Sequence, residues 1–226
     1  MKKILLAIVS FFMWWGNTTA QESTNDWSNL GLKMGIGAYS FYGDELKNPR
    51  PMFGYVAGLY YHSPLEKGRF HLQTGLDIRF RGGNFANARE GDTAIGTAYT
   101  KISLVTLDLP VQLLISTNLE KQREALFVTL GAQASYLMRS VLYVGPDQIP
   151  LNQSVYMQTW DNLPLKPIEL LLSVGVQQRF VTVGYAVSLN MGITNLNDNF
   201  KIQGISPASG NGLGIGTWSL EASLLF

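Results

Sequence analysis

The segment TWSLEASLLF, residues 217–226, decides the fold. Trp218, Leu220, Ala222, Leu224 and Phe226 fall on one side, and Thr217, Ser219, Glu221 and Ser223 on the other. A period of two describes a strand with one apolar and one polar face. The apolar face persists to Phe226, in a position where chains are ordinarily loose and polar. Something apolar must cover that face, either protein or lipid.

The same alternation recurs upstream. Val183, Tyr185, Val187, Leu189, Met191 and Ile193 oppose Thr182, Gly184, Ala186, Ser188, Asn190 and Gly192. Leu126, Val128, Leu130, Ala132, Ala134, Tyr136 and Met138 oppose Thr129, Gly131, Gln133, Ser135 and Arg139. Phe70, Leu72, Leu76, Ile78 and Phe80 oppose His71, Gln73, Gly75, Asp77, Arg79 and Arg81. With further strands near 30–40, 53–62, 102–115 and 168–178, the pattern predicts eight, and none shows a helical period. The gaps between them run roughly 12, 7, 20, 10, 28, 3 and 19 residues, every odd gap longer than every even one. Short turns at one rim and long loops at the other are the habit of outer-membrane barrels.

Composition narrows the setting. Residues 1–20 carry Lys2 and Lys3, an apolar run from Ile4 to Trp15, and small residues at Thr18 and Ala20. They read as a cleaved secretory signal, which leaves 21–226 as one barrel domain. The apolar run is too short for the roughly 20 residues of a spanning helix. Without Lys2 and Lys3, 15 basic residues face 16 acidic ones, a balance that excludes a nucleic-acid binder. The absence of cysteine excludes disulfides, thiolate metal sites, a cysteine nucleophile and a lipoprotein anchor. A secreted chain without a spanning helix can still cross a membrane as a closed barrel.

The polar stripes hold glycine, serine, threonine and glutamine with charges of both signs: Lys33, Asp77, Arg79, Asp108, Glu169, Arg179 and Glu221. The apolar stripes are almost free of charge. Small and polar residues suit a narrow lumen and long aliphatics suit lipid, whereas a soluble barrel would be arranged the other way. The expected fold is therefore all-β, an eight-stranded antiparallel up-and-down transmembrane barrel. An even strand count puts both termini at the short-turn, periplasmic rim. Phe226 then lies in the interface, with its carboxylate in water.

The order of short motifs resembles the PorT-like family of outer-membrane β-barrels. The matching stretches are GLKMGIGAYS (31–40), YVAGLYYHSPL (55–65), HLQTGLDIRFRGG (71–83), TLDLPVQLL (106–114), LLSVGVQQRF (171–180) and GYAVSLNMGITNL (184–196). Thr106, Asp108, Leu114 and Ser188 depart from the family's usual residues. The resemblance implies a barrel of a Gram-negative outer membrane without catalytic residues or cofactor, and a link to protein secretion across that membrane. The last strand, with Trp218, Leu220, Leu224 and Phe226, resembles the assembly signal read by the barrel-insertion machinery.

Eight strands enclose just enough room for their own side chains. The seven lumen charges therefore read as a polar plug of ion pairs, with a narrow ion or small-solute channel as the alternative. His62 and His71 flank the turn HSPLEKGRFH on the lumen stripe and face each other in a symmetric hairpin. No third ligand completes a metal site there, and the two are expected to be partly solvated. A lipid-modifying enzyme would need a lipid-facing Ser–His pair, but adjacent His62 and Ser63 point to opposite faces. The longest loop carries Tyr143, Tyr156 and Trp160 among prolines, a composition that suits protein recognition or a fold back onto the barrel mouth. The expected function is a non-catalytic envelope component or secretion accessory. Its expected partners are outer-membrane lipid with lipopolysaccharide, the insertion machinery, and envelope or secretion proteins.

Overall fold

The computed structural model describes residues 30–43, 46–65, 69–87, 98–117, 124–146, 158–161, 163, 165–180, 183–196 and 215–226. The expected signal segment lies outside them. Nine strands follow in chain order: β1 (Leu30–Tyr42), β2 (Lys47–Pro64), β3 (Phe70–Asn87), β4 (Ala98–Ser116), β5 (Glu124–Pro146), β6 (Gln158–Asp161), β7 (Ile168–Phe180), β8 (Gly184–Gly192) and β9 (Gly216–Leu225). All but β6 pair antiparallel with both neighbours, and β9 returns to β1, so eight strands close a barrel. This is the architecture the alternation predicted. Strand β6 is the addition: it lies against the upper end of β5 over Val141–Val144, beyond the stretch of β5 that pairs with β7.

Closure pairs each of the eight strands on both sides along the belt, the condition for burying a backbone in lipid. At the seam, Leu32 and Phe226 exchange both backbone hydrogen bonds at 2.9 Å. The Phe226 backbone oxygen also accepts a bond from the Tyr60 hydroxyl at 3.3 Å. That oxygen is engaged in the sheet. A Cβ at Gly31 would collide with it and with the Tyr60 ring, so this close approach needs glycine.

The outward face is apolar. Ile36, Leu172, Val187, Leu189 and Leu220 are about half exposed, and among the described residues no charged side chain points outward between the aromatic rows at the two rims. On β3 those rows are marked by Phe70 and Phe80. Ten residues span about 33 Å along a strand, or about 25 Å along the axis at a tilt near 40°, the height of a bilayer's apolar core.

Three sequence expectations change. The first long loop is mostly strand: only residues 43–46 separate β1 from β2, fewer than the turns at 65–69 and 117–123. The start of β2 pairs with β3 through register shifts around Pro51, past the point where β1 pairing ends at Met52. Arg139 leaves the lumen stripe, because a bulge at Met138 sets Val105 opposite Arg139 and Thr106 opposite Leu137 and turns Arg139 outward. Tyr143 belongs to β5 and not to a loop.

The interior is layered. At the loop end Phe41, Leu46, Ile102, Leu104, Leu142, Leu163, Leu196 and Ile215 form an apolar core, to which the strands and the connecting segments both contribute. At the turn end Leu114, Ala125 and Phe127 form a smaller one. The charged residues lie between, except Arg179, which stands opposite Ala125 of the turn-end cluster.

Candidate functional site

Strand β3 is the spine of the lumen. Asp77, Arg79 and Arg81 stand on alternate residues, so all three side chains project inward, one above another. The Arg79 guanidinium meets three carboxylates on three strands: Asp108 at 2.5 Å, Glu221 at 2.9 Å and Asp77 at 3.3 Å. The Lys33 Nζ reaches Asp77 at 2.8 Å. A planar guanidinium with five donors can bind several carboxylates at once, which an ammonium cannot do in the same plane.

One layer toward the loops, Arg81 donates to Glu169 at 2.6 Å, to Ser135 at 3.0 Å and to Thr217 at 3.2 Å. Thr217 in turn donates to Glu169 at 2.5 Å. Ser135 donates to Asp108 and so joins the two layers. The Glu169 carboxylate lies directly over Gly192, where a Cβ would overlap it. The glycines of the polar stripe thus open the space that the large lumen side chains fill.

Toward the turns the network changes character. His62 and His71 touch through Nε2 and Nδ1 at 2.9 Å, and both stand edge-on to Phe127. They are buried, not partly solvated, and they meet diagonally, because the register pairs His62 with Gln73 and His71 with Pro64. Arg179 donates to the Tyr60 hydroxyl at 2.8 Å and stacks on that ring. No group of three His, Cys, Asp or Glu among the described residues could hold a metal ion.

Six of the seven lumen charges named from sequence gather as Lys33, Asp77, Arg79, Asp108 and Glu221 in one cluster and Glu169 beside it; Arg179 stands apart with Tyr60. Arg81 belongs with them, and the parity of its stripe already placed it there. With it, the described lumen holds four cations and four carboxylates, all buried except the partly covered Lys33. Taking such charges out of water is costly unless each finds a partner, and this arrangement supplies one for every carboxylate. Of the loop aromatics, Tyr143 receives the Lys101 ammonium over its ring at 5.6 Å. The Trp160 backbone pairs with Leu142. Tyr156 lies outside the described residues.

No family model matches the chain, and no curated protein does. Solved structures similar to it include Ail, the attachment invasion locus protein of Yersinia pestis, at 14% identity and a TM-score of 0.37, with 87% of this chain and 97% of that one covered. Another is Neisserial surface protein A, at 11% identity and a TM-score of 0.44, covering 88% of this chain and 96% of that one.

Proposed function

We propose that this protein is a non-catalytic barrel of a Gram-negative outer membrane, with a filled lumen and both ends of the chain on the periplasmic side. It acts through its rims as a structural or interaction component of the envelope, in the reading favoured by the PorT-like motif order as an accessory of protein secretion. The observation that carries this is the uncharged outward belt, about 25 Å tall, wrapped around a charged interior. Water would favour the opposite arrangement. The ion-paired layers between two apolar cores support a plug in place of a pore. Trp218, Leu220, Leu224 and Phe226 face outward along β9 and are the residues that the insertion machinery would read.

The test is purification of the tagged protein from native membranes in mild detergent, with mass spectrometry of what accompanies it. A stoichiometric envelope or secretion protein is the expected result. A lone barrel that also passes current in planar bilayers would overturn the accessory reading in favour of a channel.

A further inference from the structure

The register places four outward rows one above another on the β2–β5 face. Ile78, Leu107 and Tyr136 make an apolar row. Two residues toward the loops, Tyr55, Phe80, Val105 and Arg139 make the next, with Tyr55 stacked on Phe80 at 4.3 Å between ring centroids. Gly82, Ser103 and Val141 follow, with Gly82 and Val141 covered and Asp161 of β6 opposite Val141. The fourth row is Arg50, Asn84, Lys101 and Tyr143. On β3 to β5 the outer surface thus passes from apolar to aromatic to basic within six residues, about 20 Å along the strands, while on β2 the aromatic surface continues to the exposed Phe53.

The interior changes at the same height. Arg81 pairs with Leu104, and from Leu104 toward the loops the inward residues Leu104, Ile102 and Leu142 belong to the apolar core. Inside turns apolar where outside turns polar, the arrangement of a β-structure that has left the lipid and entered water. Two independent patterns therefore put the edge of the bilayer at the Tyr55–Phe80 row. Arg139 stands in that row, and the exposed Lys166, next to the Pro167 that bonds Leu137, carries the charge round to β7. Arg50 and Lys101 stand about 13 Å further along the strands.

The geometry points to a docking ridge for a phosphate-bearing lipid headgroup of the outer leaflet, made by Arg50, Lys101, Arg139 and Lys166 above the Tyr55–Phe80 row. The inference rests on the membrane reading above and adds the residues and the ligand class. The acyl chains would lie on the belt below, and the cations would meet the phosphates where lipid ends. Guanidinium and ammonium groups at such an edge attract anionic headgroups while their stems stay on the apolar surface.

The experiment uses the refolded full chain in neutral detergent, titrated with bisphosphorylated lipid A, with its dephosphorylated form, and with inorganic phosphate. Thermal unfolding and native mass spectrometry are the readouts. The wild type is expected to bind lipid A stoichiometrically and to unfold at a higher temperature with it. The quadruple variant R50Q/K101Q/R139Q/K166Q is expected to bind roughly a hundredfold more weakly, on the scale of cationic side chains at anionic membranes. Its unfolding without lipid is measured beside the wild type's, so that loss of the Lys101–Tyr143 contact is separated from loss of lipid binding. Equal stabilisation by phosphorylated and dephosphorylated lipid, or unchanged binding by the variant, would overturn the ridge and leave the lipid belt standing. Stabilisation by inorganic phosphate alone would overturn the lipid headgroup as its ligand. A protein that folds without detergent and responds to neither lipid would overturn both readings.

Discussion

Replacing Arg79 by methionine removes the one group that three carboxylates share. Asp108 and Glu221 lose the guanidinium that lies 2.5 and 2.9 Å away, and Asp77 keeps only Lys33. All three acids are essentially inaccessible to water. Breaking a buried charge pair from one side typically costs about 3–5 kcal/mol, because the partner remains uncompensated. Arg79→Met should fall in that range, measured by urea unfolding of the barrel in detergent or vesicles. The companion variant Arg79→Met/Asp108→Asn/Glu221→Gln removes the charges together and should recover most of the loss. In a water-filled lumen the same pairs would be solvated, and exposed pairs contribute about 0–1 kcal/mol. A single variant within about 1 kcal/mol of the wild type, with no recovery in the triple, would refute the dry plug. Electrical recordings bear on the same point: the wild type should be silent in a planar bilayer.

Four further outcomes are expected. Leu172→Arg, on the outward belt, should cost about 2–4 kcal/mol near the bilayer midplane, read by folding into lipid vesicles, whereas the same exposed site in water would shift stability by about 0.5 kcal/mol or less. Leu104→Ala should cost about 2–5 kcal/mol in equilibrium unfolding, since Leu104 is buried in the loop-end core. Gly192→Val should lower the unfolding midpoint by forcing Glu169 off its seat, a cost of about 1–3 kcal/mol. Phe226→Ala should reduce insertion in cells more than it lowers the midpoint of the purified protein; equal insertion would remove Phe226 from the assembly signal.

Period-two alternation made the barrel legible, because the two faces of a barrel wall impose opposite chemistry on successive residues. On β7 exposure alternates from Ile168 to Arg179, and the chemistry follows it except at the inward Leu171 and the outward Gln178. It ends where the environment changes. Above Phe80 the inner face is apolar and the outward positions of β3 and β4 include Ser103, Asn84 and Lys101, so the two stripes exchange character, and the upper ends of β2 to β5 read as loop. The bulge at Met138 adds a shift of one residue, which carries Arg139 from the polar stripe to the outer surface. Strand β6 is four residues long and has no periodicity to read. The lumen charges could be named from parity, but their partners could not. Nothing in the sequence says that Ser135 joins Arg81 to Asp108, or that the two histidines meet off register.

The seam between β1 and β9 joins Lys33 to Leu225, so the pairing that closes the barrel has the longest sequence separation in the sheet. Contacts of such high order form slowly, because a large loop entropy must be met before the first bond is gained. Until β9 arrives, β1 presents a bare edge whose outward side chains are Leu32, Met34 and Ile36, a template for pairing with a second chain. Every hairpin from β1 to β8 can zip locally, yet the chain stays vulnerable to aggregation until its last strand docks. A chaperone that shields β1 through that interval would protect the step on which the whole barrel waits.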